Sequence, residues 1–256
     1  MNNTPPSKIP SSKIPSSKIP SKIPKIIHQI WIGPKKRPSQ WMETWKMKNP
    51  SWQYKLWTEK TIKKEFPNGL YNQTQYNRLG SQYHGKADIL RYEILYKYGG
   101  FYIDADTSAT RPLDDDLLEC DLFTCGLNLE NKRYANGFIA CKEKSPVMKA
   151  MMDEIHEIEN INEKACWMMT GPMLFTKIVD RYIKENNLKI NIHPYYYFIP
   201  NHFRIDNGYN GDKSYCDHHW GTTKKLYEKN GNTNKMNVKR RTKSKVDKDI
   251  IKNKLQ

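Results

Sequence analysis

The stretch that most limits what this chain can fold into is "KADILRYEILYKYGGFYIDAD", residues 86–106. Ala87, Leu90, Ile94 and Tyr98 recur at helical spacing and mark the apolar stripe of an amphipathic helix. Gly99-Gly100 stops that helix, and Phe101-Tyr102-Ile103 follows with no residue left for a loop. The chain therefore passes from helix to buried strand within one turn. The strand ends in Asp104-Ala105-Asp106. Residues two apart in an extended chain point to the same side, so both carboxylates project together from the carboxyl end of a strand. Open α/β sheets bind their ligands along that edge. Three more acids, Asp114, Asp115 and Asp116, follow closely.

The flanking segments alternate between strand and helix patterns. "KIIHQIWIG" (25–33) is an apolar run closed by Gly-Pro and reads as a buried strand. "PSQWMETWKMKNP" (38–50) opens on a helix-start signal and stops at Asn49-Pro50. "WQYKLWT" (52–58) alternates as a strand does. "LFTCGLNL" (122–129) and "GFIAC" (137–141) read as further strands. "SPVMKAMMDEIHEIE" (145–159) and "TGPMLFTKIVDRYIKE" (170–185) place Pro in a first helical turn. "LKINIHP" and "YYYFIP" close the core. This order implies an α/β fold, a mixed, mainly parallel sheet flanked by helices, over about residues 25–225.

Charge separates that domain from its ends. Of the net +16, residues 1–25 contribute five Lys and no acid, and residues 224–256 contribute twelve basic residues against three acids. The middle, 26–223, keeps 26 basic and 24 acidic residues, close to neutral. The total therefore does not indicate a nucleic-acid-binding surface, because no basic stripe remains in the core. Residues 1–24 repeat Ser-Lys-Ile-Pro four times, and 226–256 are polar and basic; both read as disordered tails. They are either solvated ends or an electrostatic tether to an anionic membrane surface. The five Cys are scattered and odd in number, which fits a reducing compartment. No window of about 18 apolar residues and no signal-peptide layout is present, so a cytoplasmic location is expected. The excess of Lys, Asn, Ile and Tyr fits an AT-rich coding genome, such as that of a giant DNA virus, which would add the virion or viral factory as a location.

Two carboxylates held side by side repel unless a cation lies between them. Hard divalent ions prefer oxygen ligands and complete their shells with water and substrate phosphates. Asp104 and Asp106 are thus either turn residues or the seat of a metal-diphosphate. Asp88 and Arg91, three apart on the preceding helix, are either a surface ion pair or a carboxylate and a guanidinium aimed at sugar hydroxyls. Trp31 ends the first strand at the same edge, where an indole either packs in the core or stacks on a base. His218, His219 and Trp220 follow the last core segment, and a neutral imidazole ligates metals.

Taken together, "IPKIIHQIWIG", "NPSWQYKLWT", the 86–106 block, "NGF" (136–138), "TGP" (170–172) and "HHW" (218–220) resemble the ordered motifs of glycosyltransferase family 32, the sugar transferases with an Asp-x-Asp motif. The resemblance spans about residues 23–223. It implies a GT-A fold, a GDP- or UDP-linked sugar donor, Mn²⁺ or Mg²⁺, and transfer of a hexose with retention to a glycan, lipid or protein. On this sequence it implies Asp104 at the ribose or metal and Asp106 on the metal. Asp88 and Arg91 would hold the donor sugar, Trp31 would stack on the base, and Tyr102 would line the pocket. Asn136 would lie near the reacting sugar, and His218 or His219 near the diphosphate with Trp220 beside them, His218 also as a metal ligand. The family's C-terminal motif continues through a small residue and Ser to a second Trp; here Gly221-Thr222-Thr223-Lys224 follows Trp220 and that Trp is missing. Two other readings remain, a non-catalytic carbohydrate-binding derivative of the fold and a metal-dependent nuclease or phosphatase.

Overall fold

A computed structural model describes residues 22–127, 133–185, 187–201 and 213–227. Apart from residues 22–24 and 226–227, both expected tails lie outside the described residues. The strands of the main sheet are β1 (Ile26–Ile30), β2 (Gln53–Trp57), β3 (Gly100–Ile103), β5 (Leu122–Cys125), β6 (Phe138–Cys141) and β7 (Ile190–His193). A small antiparallel pair joins β4 (Thr107–Ala109) to β8 (Cys216–His218). The helices are α1 (Ser39–Lys48), α2 (Glu59–Glu65), α3 (Gln73–Arg78), α4 (Tyr83–Tyr98), α5 (Pro146–His156), α6 (Cys166–Met169) and α7 (Pro172–Glu185).

The main sheet runs in the order β2-β1-β3-β6-β5-β7, with β6 alone antiparallel to its neighbours. The carboxyl ends of β1, β2, β3 and β5 therefore share one edge, where β6 begins. Strand alternation divides the core into two layers. Tyr102 and Ile139, opposite each other in register, pack beneath α4, α5 and α7 with Leu90, Met148 and Phe175. Phe101, Ile103, Phe123 and Phe138 face the other way, onto Trp45 of α1, Phe198 and Tyr215. No helix among the described residues is long and apolar enough to cross a membrane.

The helix-to-strand junction is as tight as the sequence demands. Gly99 and Gly100 have φ of 60° and 91°. A β-carbon on Gly99 would lie 2.6 Å from the Glu143 amide nitrogen, and one on Gly100 would lie 2.6 Å from the Ile26 carbonyl oxygen. Handedness and close packing both exclude a side chain here. His28, buried in the middle of β1, ties this junction to β2. Its Nδ1 accepts from Trp57 Nε1 at 3.0 Å, so Nε2 carries the proton and donates to Gly99 O at 2.9 Å.

Several elements differ from the sequence reading. The strand expected at 122–129 ends at Cys125; Gly126 then bridges to Tyr134, and residues 128–129 lie outside the described residues. "YYYFIP" forms a short 3₁₀ turn, Tyr195–Tyr197, that still delivers Phe198 and Ile199 to the core. α4 is buried on more than one face: Asp88, Arg91 and Glu93 are buried along with Leu90 and Ile94. Burial there is possible because each charge is partnered. Glu93, for instance, accepts from the Tyr71 and Asn72 amides, each at 2.8 Å. α2, α3 and the β4–β8 pair had no counterpart in the sequence reading.

Burial lowers the His28 pKa to about 3, well below its usual 6.5. The unfolded chain takes up a proton near 6.5 and the folded protein does not, so the stability from neutral His28 is complete above 6.5 and is lost as pH falls toward 3. The slope contributed is at most about 1.4 kcal/mol per pH unit. Urea midpoints at pH 7 and pH 5 will differ less in His28→Gln than in the parent protein.

Candidate active site

β3 delivers Asp104 directly to the carboxyl edge, where the side chain stays 30% exposed. Its Oδ1 accepts from the Tyr102 hydroxyl at 2.8 Å and from Arg91 Nη2 at 3.3 Å. Its Oδ2 faces Gly137, where a β-carbon would lie only 2.3 Å away. Any side chain at position 137 would displace the carboxylate. Asp106 follows, 17% exposed, with Oδ2 accepting from the Gly221 amide at 2.8 Å and Oδ1 lying 3.2 Å from His218 Nε2. Burial alone would raise the Asp106 pKa, but the His218 ring and the Gly221 amide outweigh it and hold the carboxyl below its ordinary value.

β8 pairs with β4 so that His218 stands opposite Thr107 and turns toward the acid pair. One ligand atom each from Asp104, Asp106 and His218 lie within 4.8 Å of one another. His218 Nδ1 is buried without a hydrogen-bond partner among the described residues, and Nε2 faces only Asp106 Oδ1, 3.2 Å away. A buried orphan imidazole beside two carboxylates is the donor set of a divalent cation, so these residues fit the metal that the sequence resemblance implies. His219 points elsewhere: it stacks on Trp41 at 4.0 Å, its Nε2 lies 2.9 Å from Ser108 Oγ, and burial lowers its pKa to about 4. Trp220 sits edge-on to His218 at 4.0 Å and donates its indole N–H to Asn201 O at 2.7 Å.

Asp88 and Arg91 are not a surface pair. Their side chains are 10% and 6% exposed, with Arg91 Nη2 3.2 Å from Asp88 Oδ1. The same Nη2 reaches Asp104, Nη1 donates to Asn136 O at 2.6 Å, and the guanidinium lies 4.4 Å from the centre of the Tyr102 ring. Asp88 is further held by Asn136 Nδ2 and Thr170 Oγ1, each at 2.9 Å. Burial pushes the Asp88 pKa up, against Arg91, Thr170 and Asn136, which favour the charged form. Tyr102 is buried and props Asp104 rather than lining open space. Trp31, one residue past β1, donates its indole N–H to Lys35 O at 2.8 Å and meets Tyr227 edge-on at 5.1 Å.

The structure therefore brings together Asp88, Arg91, Tyr102, Asp104, Asn136, Asp106 and His218, and it turns His219 away. The sequence alone does not nominate Thr170, Gly137, Gly221 or Tyr227. "TGP" carried Thr170 as a helix start and "GFIAC" carried Gly137 as the opening of a strand, without showing that both would converge on the acid cluster.

A mainly parallel sheet with an Asp-x-Asp at the carboxyl end of a central strand is the architecture of GT-A nucleotide-diphospho-sugar transferases. A solved structure described as "PaToxG Glycosyltransferase" shares this fold with a TM-score of 0.54 at 19% identity, over 66% of this chain and 74% of that one. Residues 35–123 match the family described as "Glycosyltransferase sugar-binding region containing DXD motif". An uncharacterized glycosyltransferase of Acanthamoeba polyphaga mimivirus is 30% identical over 177 residues, covering 64% of this chain and 67% of that protein. The chain belongs to this family of DXD-motif glycosyltransferases. Inositol phosphoceramide mannosyltransferase 1 of Schizosaccharomyces pombe is 27% identical over 186 residues, covering 68% of this chain; the chain spans 56%, little more than half, of that relative.

A surface ion pair would make Arg91→Lys nearly neutral for stability. The buried fan of contacts predicts otherwise. An ammonium cannot reach Asn136 O, Asp104 and Asp88 together, so Arg91→Lys is expected to lower unfolding free energy by about 1–3 kcal/mol, read from urea titration.

Proposed function

We propose that this protein is a metal-dependent, retaining hexosyltransferase that uses a nucleotide-sugar donor. The observation that carries the reading is the triad of Asp104, Asp106 and His218, with ligand atoms within 4.8 Å and the His218 ring buried with no polar partner but Asp106 among the described residues. These three residues would hold Mn²⁺ or Mg²⁺ against the donor diphosphate. The ion would stabilise negative charge that develops as the bond from sugar to phosphate breaks.

The chain's own groups supply the rest. Trp31 offers an aromatic surface for the base at the end of β1. Arg91 fixes the Asp104 carboxylate and the Asn136 backbone in one frame, so the acid cannot swing when charge builds beside it. Asp88 orients the Asn136 amide and the Thr170 hydroxyl, and this cluster forms the floor for the donor sugar. Gly137 leaves room for the Asp104 carboxylate itself, which a side chain there would displace. Both Asp88 oxygens are engaged by Asn136, Arg91 and Thr170, which suits a positioning carboxylate better than a proton acceptor. In a single-face retaining transfer the departing phosphate oxygen takes the acceptor proton, so no protein base is required.

For the substrate, the yeast relative's name favours mannose as the first sugar to test and a phosphoinositol lipid as the first acceptor. The basic tails would add electrostatic attraction to an anionic membrane surface. Removing residues 1–21 and 228–256 is expected to abolish binding to vesicles rich in anionic lipid, measured by co-sedimentation.

The decisive experiment is hydrolysis of GDP-mannose, UDP-glucose, UDP-galactose and UDP-N-acetylglucosamine by the full chain, with and without Mn²⁺. At least one donor is expected to turn over only with metal. Asp106→Asn is expected to abolish that turnover with little change in melting temperature, because the Asn oxygen can still accept from the Gly221 amide. Turnover at the parent rate in Asp106→Asn, with metal still required, would overturn the assignment.

A further inference from the structure

We propose that Tyr227 occupies the nucleoside end of the donor site and thereby sets its affinity, donor and phenol competing for one space. The inference rests on the reading of Trp31 and the acid pair as the donor's seat. In that reading a nucleotide must run from the indole, under its base, to the carboxylates beside its diphosphate. The Tyr227 ring lies along that line.

At one end the phenol meets Trp31 edge-on, with ring centroids 5.1 Å apart and planes at 73°. At the other its hydroxyl rests on Gly221: a β-carbon there would lie 2.2 Å from the hydroxyl oxygen. The Gly221 amide is the group that donates to Asp106 Oδ2 at 2.8 Å. The ring therefore spans from the Trp31 indole to Gly221, whose amide holds Asp106. Burial first, then the charges of Asp106 and Asp104, keeps the phenol protonated.

The segment that carries Tyr227 is anchored at Trp220 and Gly221, and residues 222–225 that follow are exposed. Three backbone hydrogen bonds coil it: Lys224 N to Trp220 O, Lys225 N to Thr222 O, and Leu226 N to Gly221 O, at 2.8, 3.1 and 2.8 Å. Two of its residues, Trp220 and Lys225, have φ of 56° and 54°, a left-handed conformation that costs a non-glycine residue about 1 kcal/mol or more. These backbone angles raise the energy of the seated state, which lowers the cost of displacing it. Gly221 itself is outside the left-handed region, so its backbone accepts alanine; only the phenol resting on it does not.

A ligand that binds only the open state loses apparent affinity in proportion to the open fraction. Removing the plug must therefore tighten nucleotide binding, whereas removing a donor contact would weaken it. The test is calorimetric titration of the full chain with UDP and with GDP, each in Mn²⁺. Tyr227→Ala is expected to lower the dissociation constant at least about threefold, and about tenfold if the plug is seated nine-tenths of the time. Tyr227→Phe, which keeps the ring, should stay near the parent. Gly221→Ala, whose new methyl expels the phenol, should tighten binding as Tyr227→Ala does and add nothing in the Tyr227→Ala background. Unchanged or weaker binding in Tyr227→Ala overturns the plug and makes the phenol neutral or a donor contact. Failure of both nucleotides to bind the parent and every variant overturns the nucleotide-site reading itself, and the plug with it.

Discussion

One guanidinium organises this site. Arg91 is almost wholly removed from water, and a buried arginine is tolerable only when its donors are spoken for. Here they are divided among Asp88 on its own helix, Asp104 at the end of β3, and the Asn136 carbonyl at the start of β6. Three separate pieces of chain are thereby fixed to one planar fork. The Tyr102 ring beneath it and the Thr170 hydroxyl beyond Asp88 complete the cluster. Moving any member leaves another charge uncompensated in the interior. That is why the edge of the sheet can present acids without folding them outward into solvent.

The second constraint is steric and lies around the cluster. Gly99 and Gly100 let α4 turn onto β3 against the Ile26 carbonyl, Gly137 admits the Asp104 carboxylate, and Gly221 admits both a hydrogen bond to Asp106 and the Tyr227 phenol. Each is a point where backbone meets a polar group at closest approach. His28 stitches the same region from below, joining the α4 terminus to Trp57 of β2. The acids thus sit on a scaffold with little freedom to relax around them.

Much of this was legible in the residues. The 86–106 block announced helix, junction, strand and acid pair in order, because periods of 3.6 and 2 and a double glycine are local signals. What stayed hidden was non-local. Asp88 and Arg91 at i and i+3 look alike on a surface and in a core, and only the partners Asn136 and Thr170, 48 and 82 residues away from Asp88, decide between them. The choice between His218 and His219 depends on a three-residue strand pairing with β4, too short to leave a periodic trace. The short helices α2 and α3 carry mixed polar sequences without an apolar stripe long enough to read. Tyr227 carried no signal in the sequence, since the ring it meets, Trp31, lies at the opposite end of the domain.

The pairing of β4 with β8 also bears on the order in which the molecule comes into being. Every strand of the main sheet is complete by His193, yet the imidazole that completes the acid triad enters only with β8, more than a hundred residues after Asp106. Closing so long a loop is entropically slow, and a three-residue ladder returns little for it. A chain emerging from the ribosome thus carries every main-sheet strand while the cluster at the sheet edge still lacks His218. The triad is completed only by the last described strand, so synthesis that stops short of Cys216 omits both His218 and a buried part of the core.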